Sequence, residues 1–236
     1  MDKSIIKLYL GKCLKEFINA ILAGLMISFG AMVFLFCSAM GLKILGCFMF
    51  ATGLLLILLY GYSLVTGKMG YILENKPPYL IDCLISYVGN FVGTFLAASL
   101  ATLTKFFDKD NGAYTHNVML TLENVVEGKM NDGVLSLIIL GIFCGVMVFF
   151  AVNTYKKADM QLARIVTVFV TIGLFCICGF EHCVADMFYF SLYSFTHGFA
   201  KFGVLIGKLM YVTLGNIIGC MLIPSIRILR SKIRSL

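Results

Sequence analysis

The run Ile177 to Phe188, ICGFEHCVADMF, puts a glutamate and a histidine side by side just after a glycine. It lies inside an apolar stretch that reads from Ala163 almost to Phe195. A neutral imidazole offers one N–H donor, and a protonated one offers two donors and a charge. Its ordinary titration near neutrality also suits it to pass a proton. An anion stripped of water needs such donors, because burying an unpaired ion is costly. Cys176, Cys178 and Cys183 surround His182, but with it they match no recognised zinc spacing. The other six cysteines are scattered through apolar segments and read as small buried hydrophobes. Haem held by paired histidines needs two of them at membrane depth. Of His116, His182 and His197, His182 alone qualifies, so no cofactor is expected and a membrane redox protein is the weaker alternative. No nucleophile motif accompanies His182, which argues against an enzyme.

The elements that must hold these residues belong to a membrane. Of the 236 residues, 60% are hydrophobic and 13% charged, and the mean hydropathy is +0.96. A soluble domain carries about 25% charged residues. Apolar spans fall near 17–38, 42–62, 79–104, 133–155, 161–177 and 202–226, each about the length of a bilayer crossing. The expectation is an all-α integral membrane protein with six transmembrane helices, forming a single channel domain over 1–236. The net charge of +7 reflects orientation in the bilayer rather than a nucleic-acid partner. Lys3, Lys7, Lys12 and Lys15, then Lys68 and Lys76, then Lys156, Lys157 and Arg164, then Arg227, Arg230, Lys232 and Arg234 all fall on one side of such a topology. By the positive-inside rule both termini are cytoplasmic, in a cell (inner) membrane. The polar stretch 105–132 is then an external loop, read as a partly helical surface excursion without chemistry.

An internal repeat divides the chain into approximately 1–104 and 133–236. GNFVG at Gly89 to Gly93 is echoed by GNIIG at Gly215 to Gly219, and small residues four apart let helices approach closely. GLMISFGAMV at Gly24 to Val33 is echoed by GIFCGVMV at Gly141 to Val148. Three helices followed by three start from opposite sides, so the halves are related by inverted topology. The second helix of each half is broken, at Gly61 to Gly70 and at Gly179 to His182. Irregular backbone at membrane depth survives only inside protein or beside a watery cavity. Paired breaks therefore point to a transport site, with half-helix N-termini turning positive dipole ends inward.

GFEHCVADMF, SLVTG at Ser63 to Gly67, Lys129 ahead of the fourth span, and GNIIG together resemble the signature of the formate/nitrite transporter family. The resemblance runs in order along essentially the whole chain. It implies an aquaporin-like inverted repeat of 3+3 helices with broken second and fifth helices, assembled as a homopentamer with one pore per protomer. It also implies passage of small monovalent anions (hydrosulfide, formate or nitrite), with protons as possible companions. Carried over by position, His182 is the central pore histidine and Thr66 its hydroxyl partner. Leu54 and Phe175 form the outer constriction with Phe50 close by, Leu64 and Val65 form the inner one, and Lys129 attracts anions. Glu181 reads as a loop brace that accepts backbone N–H bonds and points away from the path.

Three positions depart from the family pattern. Val65 replaces an aromatic of formate channels. Gly145 stands where many members have a pore-side asparagine, and Asp186 replaces the usual asparagine of an ANM ending. These lean the reading toward the hydrosulfide branch. An aquaporin-like channel for small neutral solutes is the other alternative. It would lack a basic mouth, and its asparagine–proline–alanine repeats cannot be built from Pro77, Pro78 and Pro224.

Overall fold

The computed structural model describes residues 3–107 and 112–234. The elements are α1 (Lys3–Ala39), α2 (Lys43–Tyr60), the short α3 (Val65–Met69), α4 (Tyr79–Thr102), α5 (Gly112–Asn131), α6 (Val134–Lys157), α7 (Gln161–Ile177), α8 (Cys183–His197) and α9 (Phe202–Arg234). Short 3-10 turns follow α3, α4 and α8. Five of the helices are long and apolar enough to cross a bilayer: α1, α2, α4, α6 and α9. The expected fifth crossing is divided. Its first part, α7, is a mainly apolar helix of 17 residues, and α8 resumes after the break.

Both breaks are made the same way. Gly61 (φ 69°) ends α2 and Gly179 (φ 69°) follows α7, in a left-handed conformation that glycine adopts without steric cost. The N–H groups of Tyr62 and Phe180 reach back five residues to the carbonyls of Ile57 and Phe175, the long bond of a Schellman ending. The chain then runs extended through Leu64 and through His182 before helix resumes.

The long helices pair through glycines, α1 against α4 and α6 against α9. A Cβ at Gly93 would stand 2.1 Å from the Ile21 carbonyl, and one at Gly219 would stand 2.1 Å from the Ile142 carbonyl. These contacts fix the register of the repeat. Gly24 meets the Asn90 backbone as Gly145 meets the Asn216 backbone, so Gly24 corresponds to Gly145. Gly145 consequently packs against α9 rather than facing a path, and a side chain there would meet the Asn216 carbonyl at 2.5 Å.

The stretch expected to be a surface excursion is a helix with an interior face. Val118, Leu122 and Val126 on α5 are fully buried. Their spacing of four makes one apolar stripe, and the same helix carries Lys129 inward. Residues 108–111 of that stretch lie outside the described residues.

Candidate functional site

The breaks are held by the two asparagines of the GNxxG repeats. Asn90 Oδ1 accepts the Val65 N–H at 2.9 Å, while its Nδ2 donates to the carbonyls of Ala20 (2.8 Å) and Ser63 (2.9 Å). Asn216 Oδ1 accepts the Cys183 N–H at 2.9 Å, and its Nδ2 donates to Gly141 (2.9 Å) and Glu181 (2.8 Å). Each amide thus satisfies the N–H that opens the resumed helix and the carbonyl two residues before it. Both side chains are fully buried. Buried backbone groups left unpaired are costly. The sequence reading took these motifs for close packing alone. The repeated asparagine between the glycines was the available signal.

Leu64 and His182 occupy equivalent places in the two halves, each the last extended residue before a helix. His182 is buried at 3% exposure. Its Nδ1 accepts the Ala185 N–H at 3.3 Å, capping α8. A neutral ring that accepts at Nδ1 carries its proton on Nε2. Nε2 lies 3.0 Å from Thr66 Oγ1. The imidazole therefore donates to the hydroxyl, and the hydroxyl keeps its own O–H for another acceptor. Protonating Nδ1 would set one donor against another and release the cap. Thr66 itself is buried at the start of α3. That helix is only five residues long, so the expected pair of inward dipole ends reduces to α8.

Two cavities approach this pair from opposite ends of α2. One, of about 170 Å³, is bordered by Lys43, Phe50, Phe175, Glu181, His182 and Asp186 among others. The Phe50 and Phe175 rings meet edge to face with centroids 5.8 Å apart, and Phe175 lies 6.1 Å from the His182 ring. The other, of about 380 Å³, is bordered by Leu54, Gly61, Leu64, Lys68, Lys156 and Arg164 among others. Leu54 borders the second cavity, one helical turn from Phe50, and the ring that meets Phe175 is that of Phe50. Val65 is buried beside Leu64 and borders neither of these cavities.

The charges differ most from expectation. The Lys129 ammonium contacts the Glu181 carboxylate and lies 2.8 Å from Asp186 Oδ1. One cation is shared by two carboxylates, so Lys129 offers no spare positive charge to an anion. Glu181 braces the break through its main chain, accepting from Asn216. Its carboxylate serves Lys129 instead of backbone N–H groups, and it borders the same cavity as His182 rather than pointing away. Uncommitted cations gather at the second cavity. Lys68 is paired with Glu16, but Lys156 stands 4.1 Å over the Tyr71 ring and Arg164 donates to the Ala158 carbonyl. His197 is 2.7 Å from Glu123, far from the break, and His116 is exposed.

Comparison with known proteins agrees with this architecture. The solved structure of a pentameric formate channel with formate bound superposes with a TM-score of 0.81 at 23% identity, covering 94% of this chain and 98% of that one. The formate channel FocA of Escherichia coli K12 is 27% identical over 87% of this chain and 82% of its own length. The formate channel BtFdhC of Bacillus thuringiensis is 30% identical over 75% and 68% respectively. A family model described as formate/nitrite transporter matches residues 3–228. Its members are channels and transporters rather than enzymes, and this multi-pass membrane chain belongs to the formate/nitrite transporter family.

Proposed function

We propose that the chain is a channel for small monovalent anions, with formate its first substrate, and that the path crosses the break at His182. The observation that carries this is the His182–Thr66 pair, two buried donors 3.0 Å apart, set between cavities at opposite ends of α2. A dehydrated anion at this depth takes the Thr66 O–H in place of water and, by displacing the hydroxyl oxygen from Nε2, the imidazole N–H as well. Phe50 and Phe175 form the dry constriction on one side. Leu54 and Leu64, backed by Val65, form it on the other. Lys156 and Arg164 concentrate anions at their cavity and disfavour the reading as a neutral-solute pore. The positive-inside rule puts that cavity and both termini in the cytoplasm of a cell membrane. A homopentamer is the assembly suggested by the pentameric neighbour. Formate is preferred because the matched relatives carry that name. Hydrosulfide is the second reading, favoured by the small Val65 beside the inner constriction.

Proteoliposomes of the purified protein, loaded in turn with formate, nitrite and hydrosulfide, test the assignment. Formate is expected to leave well above the rate from protein-free vesicles. Hydrosulfide release with formate retained would shift the substrate to the second reading. Retention of all three anions would end the proposal.

A further inference from the structure

We propose that Asp186 makes the Lys129 cavity a proton-binding site: the Glu181–Lys129–Asp186 cluster holds one proton, and anions enter past it only while that proton is bound. This rests on the anion-channel reading above. Asp186 is 0% exposed, in the first turn of α8, and borders the cavity beside His182. Among the described residues, neither of its oxygens takes part in a well-directed hydrogen bond, and its ion-pair partner is the Lys129 ammonium that Glu181 already contacts. The two carboxyls also stand within interaction range of each other.

With both carboxylates ionised, the cluster carries one net negative charge at the floor of the cavity. A buried charge without a partner is expensive, and two carboxylates around one cation relieve it by taking a proton between them. Among the described residues, Lys43 is the one other cation at the cavity, and the remaining neighbours are neutral. Tyr87 on α4, Cys144 on α6, and Cys183 and Tyr189 on α8 itself lie within electrostatic range of the cluster, all neutral groups in their ordinary forms. Cys176 borders the cavity from α7, and α9 approaches with Thr213, Asn216 and Cys220. His182 is committed as a neutral cap. Lys43 is the other cation bordering the cavity, exposed at the start of α2. With the proton bound, the cluster is neutral and an anion meets the Nε2–H and Thr66 O–H donors without repulsion. Without it, the anion meets a like charge in a region of low dielectric.

Asp186→Asn is isosteric and leaves Lys129 paired with Glu181 alone, one cation against one carboxylate. Two measurements on parent and variant test the idea. In infrared spectra of reconstituted protein, the parent is expected to show the carbonyl band of a protonated carboxyl that Asp186→Asn lacks. Formate flux in the parent should fall as that band titrates away with rising pH. The variant should match the parent while the band is present, and exceed it by about tenfold or more once the band is lost. A parent without the band anywhere between pH 5 and 8 overturns the proposal, as does a band unchanged by Asp186→Asn or a parent flux indifferent to its titration. If the band behaves as expected but neither protein passes formate or another small anion faster than protein-free vesicles, the proton site stands and the channel reading falls.

Discussion

His182→Phe is expected to cut anion flux by about ten- to a hundredfold, since a lost hydrogen bond to a charged partner is worth roughly 1.5–3 kcal/mol. Phenylalanine fills similar space but removes both ring nitrogens. One of them faces Thr66 and the other caps Ala185. His182→Asn separates the ways a histidine can act. Asparagine is a good N-cap and carries an amide donor, but it does not take up a proton near neutrality. Because Nδ1 is occupied by the cap, passage by hydrogen bonding from a neutral ring is the mechanism this geometry favours. The Asn variant should therefore keep substantial flux. An obligatory proton relay through the imidazole would instead disable both variants alike. The check is formate efflux from proteoliposomes across pH 5–8, with folding of each variant followed by gel filtration in detergent. Well-folded His182→Phe protein that conducts like the parent would reduce His182 to a structural cap.

The largest effect on stability is expected at Asn216. Replacing it with leucine keeps the bulk but strands the Cys183 N–H and leaves the Gly141 and Glu181 carbonyls without their donor. Each stranded buried group costs about 1–3 kcal/mol. A total loss of roughly 3–9 kcal/mol is a large share of a typical folding free energy. It corresponds to a fall of at least about 6 °C in melting temperature for a chain of this size. Asn90→Leu should cost nearly as much, since Asn90 makes the same three bonds to the other break. Ser231→Ala, on the exposed end of α9, should leave the melting temperature unchanged. If Asn216→Leu melts with the parent, the asparagines are not what secures the breaks.

The breaks were legible in the sequence because glycine followed by polar residues interrupts an otherwise apolar run at Gly61 and Gly179. Nothing local to the chain offers those backbone groups a partner, so the pattern forces a partner from elsewhere. Which residue provides it was hidden. Asn90 and Asn216 lie on other helices, and glycines four apart already had an adequate explanation in helix packing. Lys129 was legible as an inward lysine only through resemblance. Its partners Glu181 and Asp186 are more than 50 residues away, and their pairing arises from how α5 lies against the start of α8. The interior face of α5 could have been found from the spacing of Val118, Leu122 and Val126, but the surrounding polar residues obscured it.

The central claim is that the buried His182–Thr66 pair serves an anion, and it is tested most directly by selectivity in one set of vesicles. Proteoliposomes of the parent protein are loaded with labelled formate and labelled glycerol together, and both effluxes are followed against protein-free controls. The account predicts rapid release of formate with glycerol retained. Release of glycerol with formate retained would contradict it and turn the structure into a pore for neutral solutes.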